Sequence, residues 1–160
     1  MICDKLNTFC DAVSVALTAG SSPQNIGDVI DLGAARDIGN GEPLYLVVTV
    51  DTEVITAGSA GSIQFHLVSD GTGTIATDGS ATVHASSPVY VTDDAAANSA
   101  QLNAGGVPWV VALPMEGNVY ERYLAVQVTV LTTSTTAGKV NAFLTRTPQV
   151  WKAYDAPNHL

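Results

Sequence analysis

The sequence predicts an all-β fold, an antiparallel β-sandwich or barrel. Apolar and polar residues alternate with a period of two in several segments, which is typical of strands that bury one face. Turn-forming residues separate about eight such segments at intervals of roughly 8–12 residues. Evidence for helix is limited to one short alanine-rich stretch. Together these observations favour two layers of antiparallel strands over a helical or mixed domain.

Two pairs of segments have the clearest strand pattern. Residues 44–55 and 63–67 are joined by a turn-forming cluster rich in Gly, Ala and Ser. Residues 124–130 and 140–145 are joined by a polar, threonine-rich loop. In 124–130 every second residue is leucine or valine, so one face is apolar. We interpret each pair as a hairpin-like unit.

The other candidate strands are shorter or less regular. They are rich in β-branched or aromatic residues and end at Gly, Pro, Ser or Asp. In chain order they are Phe9–Leu17, Val29–Leu32, Thr74–Thr77, Thr82–Ala85, Val89–Thr92 and Val107–Leu113. The alanine-rich stretch Ala95–Leu102 follows Asp93 and Asp94, which suit the start of a short helix. We expect one face of each sheet to be buried and the other to be exposed.

Charged residues are scarce and mostly acidic. The chain has six lysines and arginines in total and 15 aspartates and glutamates in total, so the net charge is −9. Phosphate backbones repel such a chain, which disfavours direct nucleic-acid binding. Residues 37–121 contain no lysine or arginine, although lysines commonly protect exposed sheet edges. We therefore expect neighbouring chains to cover some edges, the alternative being cover by the protein's own loops.

Neither a membrane span nor an export signal is evident. The apolar runs are far shorter than the roughly 20 residues that a spanning helix needs. The start of the chain has no basic segment followed by an apolar one, because Asp4 and Asp11 interrupt it. We expect a protein without membrane contact that is made in a cytoplasm, with Cys3 and Cys10 as free thiols.

Catalytic and metal-binding motifs are missing at the sequence level. There is no G-x-S-x-G, GxxxxGK[ST], H-E-x-x-H or CxxC pattern. A sheet could bring His66 and His84 together as two metal ligands, or place one of them beside a serine as its base. Asp70 and the Asp93–Asp94 pair could take up a cation, but they lack EF-hand spacing. We predict that the protein is not an enzyme and has no cofactor and no metal site.

One block is more specific than these patterns. Residues 25–48, NIGDVIDLGAARDIGNGEPLYLVV, together with the start MICD, resemble the capsid cement (decoration) proteins of tailed bacteriophages, of the type seen in a Bordetella phage. The later segments ERYL (121–124) and AGKV (137–140) also fit the last hairpin of that family. The resemblance covers most of residues 1–147.

The resemblance implies a jelly-roll β-sandwich on the outer surface of a virion that is assembled in the host cytoplasm. Such a protein clamps neighbouring copies of the major capsid protein and forms a small symmetric oligomer. We expect a homodimer first, because two-fold symmetry is the commonest closed arrangement, and a homotrimer second. No catalysis and no cofactor are implied. The alternative is a carbohydrate-binding module of a virion, lectin-like or receptor-binding, for which Tyr90 and Trp109 are the aromatic residues near candidate loops.

The candidate partner-binding residues lie in two places. Arg36 is the only base between Lys5 and Arg122, so it is the best candidate for a charged contact, with Asp37 beside it. A pair that only fixes their own loop is an equal alternative. The second place comprises Arg146, Trp151, Lys152 and Tyr154, at and beyond the end of the last strand.

The chain divides into a β-sandwich domain, residues 1–147, and a C-terminal arm, residues 148–160. The arm has neither strand nor helix period, and Pro148 and Pro157 flank its two large aromatic residues. Large aromatic side chains are typical anchors in a partner's pocket. We predict that the arm docks on another chain; folding back on its own domain is the alternative.

Overall fold

The computed structural model describes residues 5–36, 41–58, 60–93, 98–115 and 117–148. These residues form nine strands and two short 3₁₀ turns, Lys5–Asn7 and Ala100–Leu102. The strands are β1 (Thr8–Ser14), β2 (Gln24–Asp31), β3 (Tyr45–Ile55), β4 (Gly61–Asp70), β5 (Thr82–Ser86), β6 (Tyr90–Thr92), β7 (Trp109–Ala112), β8 (Tyr123–Leu131) and β9 (Ala137–Thr145).

The strands form two antiparallel sheets that pack face to face. Sheet 1 has the order β1-β9-β3-β7, and sheet 2 has the order β2-β8-β4-β5, with β6 also paired to β4. Because β5 and β6 both lie against β4, they occupy one strand position between them, and each sheet has four positions. Successive positions mostly alternate between the sheets, which is the jelly-roll arrangement. The predicted antiparallel β-sandwich is therefore confirmed.

The core lies between the two sheets. On β4 and β8 every second side chain points inward and is fully buried, as the alternation predicts. Each such Val, Leu or Phe stabilises the fold by about 1.5–3 kcal/mol relative to exposure. The inward side chains of these two strands are Ile63, Phe65, Leu67, Leu124, Val126, Val128 and Val130.

The two hairpin predictions were wrong. β3 lies in sheet 1 and β4 in sheet 2, and the same holds for β9 and β8, so each link crosses from one sheet to the other. Hydrogen bonds fix the crossings: Thr56 Oγ1 donates to Thr92 Oγ1 at 2.7 Å, and Thr135 Oγ1 donates to the Val15 carbonyl at 2.5 Å. Both strands of each pair still bury an apolar face, because the two sheets share one core.

The expected strand Thr74–Thr77 is instead part of a loop, residues 71–81, that covers the outer face of sheet 2. Ile75 and Ala81 of this loop pack on outward-facing Val68 and Ala125. Gln127, although on the outer face, is 2% exposed because its Nε2 donates to the Ala76 carbonyl at 2.8 Å. The outer face of this sheet is thus partly covered, whereas the alternation predicts an exposed face.

Three other expectations differ in detail. The first strand ends at Ser14 rather than Leu17, after an irregular stretch in which Ala12 has φ +49°. The second extends over Gln24–Asp31 rather than Val29–Leu32, because it pairs with β8 along its length. Of the short helix expected over Ala95–Leu102, the described part forms only a 3₁₀ turn over its last three residues.

Candidate interaction surface

The part of sheet 2 that the loop leaves uncovered forms an uncharged surface, which we call the open face. Across its upper row, Val91 of β6, Ser62 of β4 and Leu131 of β8 are neighbours in register. Val91 is 48% exposed and Leu131 is 42% exposed. Among the described residues, the strand positions on this face carry no acidic or basic charge at neutral pH. They are Ser62, Gln64, His66, Ser86, Val91, Thr129 and Leu131.

His66 lies in the middle of the open face and is held on both sides. Its Nδ1 lies 2.8 Å from Ser86 Oγ, and its Nε2 lies 3.0 Å from Thr129 Oγ1. Burial lowers the pKa of His66, because the partly desolvated ring favours the neutral form. The histidine is therefore neutral at pH 7, and it orders the hydroxyl groups of its neighbours without adding charge to the face.

A second serine–histidine pair lies away from this face. Ser69 Oγ is 2.7 Å from His84 Nε2, and the His84 ring stacks on Tyr120 with centroids 3.9 Å apart. Ser69 is fully buried, and its hydroxyl also accepts the backbone N–H of Glu121 at 3.0 Å. A substrate could not approach a nucleophile enclosed in this way, so this pair ties β4 and β5 to the segment before β8.

The structure gives the two histidines separate partners: His66 lies between Ser86 and Thr129, whereas His84 contacts Ser69 and Tyr120. Within the described ranges, no three His, Cys, Asp or Glu side chains are grouped so that they could hold a metal ion. Asp70 instead caps the 71–81 loop: its Oδ1 accepts the Thr72 N–H and its Oδ2 accepts the Ala76 N–H. These backbone hydrogen bonds lower the pKa of Asp70. Asp93 lies at the end of the described segment, and Asp94 lies outside it.

A bidentate ion pair joins the end of β2 to the start of β8. Arg122 Nε donates to Asp31 Oδ1 at 2.9 Å, and an Nη donates to Asp31 Oδ2 at 2.8 Å. The guanidinium carbon also lies 4.9 Å from the centre of the Tyr123 ring. Both charged side chains are about half exposed, so the pair fixes geometry more than it contributes stability.

The chain is similar to a known protein family over most of its length. Residues 9–144 match the Bbp16 family. The chain belongs to the Bbp16 family. The name of this family points to a protein of a Bordetella phage, which agrees with the phage origin that the sequence resemblance implied. No curated protein matches the chain significantly. None of the helices in the described part of this Bbp16-family chain is long and apolar enough to cross a membrane.

The sequence-predicted partner residues fall on both sides of the described boundary. Arg36 lies in the bend after β2, where its backbone N–H donates to the Tyr120 carbonyl at 3.2 Å and its side chain is exposed. Arg146 makes an exposed ion pair with Glu42 at 2.5 Å. The other four, Asp37, Trp151, Lys152 and Tyr154, lie outside the described residues, so their roles stay predictions. No sequence pattern marks the Arg122–Asp31 pair, because its partners are 91 positions apart.

Titration of Asp31 tests the ion pair between Asp31 and Arg122. Hydrogen bonds from Arg122 and from the Gly33 N–H lower the pKa of Asp31 to about 2. The pair therefore stabilises the fold above the usual aspartate pKa of about 3.9, and this contribution is lost as the pH falls through 2. We expect Arg122→Gln to raise the Asp31 pKa toward its usual value in an NMR titration of the carboxyl carbon. Arg146→Gln is the control, and an unchanged midpoint in Arg122→Gln would contradict the assignment.

Proposed function

We propose that this Bbp16-family protein is a capsid cement (decoration) protein. It binds the outer surface of a phage head, clamps neighbouring copies of the major capsid protein and stabilises the shell. The protein acts without catalysis, cofactor, direct nucleic-acid contact or membrane contact. It forms a homo-oligomer, for which a dimer is the favoured state and a trimer is the alternative. It is assembled on the virion in the host cytoplasm.

The observation that carries this proposal is the open face on an otherwise acidic molecule. Three aliphatic side chains at or beside it, Val89, Val91 and Leu131, are 57%, 48% and 42% exposed. Grouped exposed aliphatic residues typically mark protein contact surfaces. The net charge of −9 favours an outer position, because the inside of a filled head is lined by DNA phosphate. The resemblance of residues 25–48 to phage cement proteins supports the same partner, the major capsid protein.

The carbohydrate-binding alternative loses its main support. It relied on Tyr90 and Trp109 as aromatic platforms near loops. Tyr90 is 8% exposed and Trp109 is 5% exposed, and the Tyr90 hydroxyl is hydrogen-bonded to the Pro108 carbonyl. A sugar stacks on an exposed aromatic face, so neither residue can serve in that role in this arrangement.

Binding to empty capsid shells tests the proposal. We expect Val91→Asp to weaken co-sedimentation with shells at least tenfold, because the complex would bury an unpaired charge on the open face. The matched control is Val119→Asp, which changes a valine that is 62% exposed in the segment before β8. Both variants keep the wild-type melting temperature, because both sites are exposed. Equal binding by the two variants would contradict the open face as the docking surface, and no binding by the wild-type protein would contradict the proposed function.

A further inference from the structure

The two sheets have four edges, and three of them are protected against pairing with another chain. β1 carries Asp11 and β2 carries Asp28 and Asp31, and the register of each against its neighbouring strand is irregular. The third edge is shared by β5 and β6. The register of β5 against β4 shifts once, and the Val91 carbonyl of β6 already accepts the Ser99 N–H at 3.1 Å. Charges and bulges are the usual devices that keep an edge strand from pairing.

The fourth edge, β7, has neither of these devices. Its residues pair with β3 without a shift in register. No acidic or basic residue occurs in the sequence from 95 to 115, which is the longest such stretch of the chain. Val110 is 45% exposed, and Ala112 is exposed as well. The β7 edge is therefore regular, uncharged and open.

The unused backbone groups of this edge belong to Val110 and Ala112. The Leu113 N–H donates to the Leu44 carbonyl at 2.8 Å, in the same register as the pairs of β7 and β3. In an antiparallel pair, every second residue bonds to the partner strand, and the residues between have their N–H and C=O pointing the other way. The N–H and C=O groups of Val110 and Ala112 therefore point away from β3. Among the described strands, only β3 pairs with β7, so these groups have no strand partner there.

The sequence of the edge is symmetric about Val111. The two residues with unused backbone groups lie one position to either side of it, and Pro108 and Pro114 lie three positions to either side. A second β7, related by a two-fold axis beside Val111, places each Val110 opposite Ala112 of the other copy. Each such pair then exchanges both of its backbone hydrogen bonds. The ladder ends at the prolines, because they have no N–H to donate.

We infer that two copies of the chain pair through their β7 edges in this register, so that their two copies of sheet 1 form one continuous sheet. The charge distribution favours a second copy as the partner. A two-fold axis brings each residue near it against its own copy, so any charge there meets a like charge. A chain of net charge −9 therefore associates with itself best through an uncharged segment, and the β7 edge lies in the longest one.

This inference rests on the self-association part of the proposed function and assigns a surface to it. The surface is distinct from the open face, because β7 belongs to sheet 1 and the open face belongs to sheet 2. A dimer formed through β7 therefore presents two open faces, each available to a copy of the capsid protein.

Sedimentation equilibrium of the full-length protein without capsid shells tests the dimer. We expect a dimer at micromolar concentration, and we expect Val110→Glu to raise its dissociation constant at least tenfold, because two added carboxylates lie close to the axis. The matched control is Val83→Glu, at a valine of β5 that is 51% exposed, which adds the same charge and leaves the dimer unchanged. A monomeric wild-type protein would overturn the inference, as would equal weakening by the two variants.

A disulfide cross-link tests the register. In a Cys3→Ser background the remaining cysteine, Cys10, is 1% exposed, so an added cysteine is the reactive one. We expect Val111→Cys to form a linked dimer on mild oxidation, because the two copies of residue 111 face each other with Cα atoms about 4.5 Å apart. Ala112→Cys is the control: its two copies lie about 8 Å apart on a diagonal, beyond the reach of a disulfide. Linking of Ala112→Cys as fast as Val111→Cys would overturn the register.

Binding to capsid shells separates this inference from the proposed function. A wild-type dimer that does not bind shells would contradict the cement role and leave the β7 pairing intact. A wild-type monomer that binds shells, and loses this binding in Val110→Glu, would show that the β7 edge pairs with the capsid protein. That result would overturn the pairing of two copies and leave the cement role intact.

Discussion

Deleting the C-terminal arm, residues 148–160, is expected to weaken binding to capsid shells or to sister subunits at least tenfold. Trp151→Ala alone has the same expected effect, because truncating a buried tryptophan anchor at an interface commonly costs at least 2 kcal/mol. Pro148 and Pro157 each have a fixed φ angle, which reduces the conformational entropy that the arm would lose on docking. Lys152 adds positive charge to a chain of net charge −9 and favours an acidic patch on the partner.

The arm's effect is separable from the stability of the domain. Among the described residues, the buried members of both hydrophobic clusters lie between Phe9 and Leu144. We therefore expect the truncated protein to keep its β-type circular dichroism and its melting temperature, and Asn158→Ala to bind like the wild type. If the truncated domain unfolds, the arm belongs to the core of its own domain. If binding to capsid shells is unchanged, the arm does not contribute to binding.

The sequence predicts which side chains enter the core, but it does not predict which strands share a sheet. Alternation in residues 63–67 correctly places Ile63, Phe65 and Leu67 inside. The same alternation is satisfied whether the next strand pairs within the sheet or crosses to the other sheet, because both arrangements bury the same face. A short polar link such as 132–136 suits either arrangement. Sheet membership follows only from the resemblance to a jelly-roll family.

Side-chain hydrogen bonds override strand propensity in the 71–81 loop. Thr74–Thr77 contains β-branched residues, which favour a strand. Asp70 instead binds the N–H groups of Thr72 and Ala76, which removes the second of these from any ladder. The Asp-Gly step at 70–71 was the available signal, since aspartate before glycine is typical of such turns. The burial of Gln127 under this loop had no signal in the sequence, because it depends on contacts with residues about 50 positions away.

Contacts of the charged residues also depend on segments that are far apart in the sequence. Isolation in the sequence favours Arg36 as the residue that makes a charged contact, whereas in the structure Arg122 makes the bidentate ion pair. Both Asp31 and Arg122 lie in the two segments that carry the family resemblance, residues 25–48 and 121–124. A single sequence identifies each of these two segments, but it does not indicate that they are in contact in the folded protein. The pairing follows from β2 and β8 being neighbours in sheet 2.

Gly27→Ala is expected to destabilise the domain by about 3 kcal/mol or more, which is a large part of the stability of a typical domain. Gly27 has φ +70°, a conformation that costs an alanine about 1–2 kcal/mol. In addition, an added Cβ would lie 2.0 Å from the Phe9 carbonyl oxygen and 2.5 Å from Cys10 Sγ. Phe9 and Cys10 are each 1% exposed, so β1 cannot move aside without disturbing the core. Urea unfolding measures the loss.

The matched control for this clash is Gly58→Ala. Gly58 has a similar positive φ of +88°, but no atom lies within 4 Å of the position that a Cβ would take. The control therefore carries only the conformational cost of about 1–2 kcal/mol, and the difference between the two variants measures the close approach of β1 to β2. The register of β2 against β8 shifts between Ile26 and Ile30, so this approach coincides with an irregularity in β2. Equal destabilisation by both variants would show that β1 can move away from the added methyl group at little cost. The contact between β1 and β2 at Gly27 would then not hold the two sheets together.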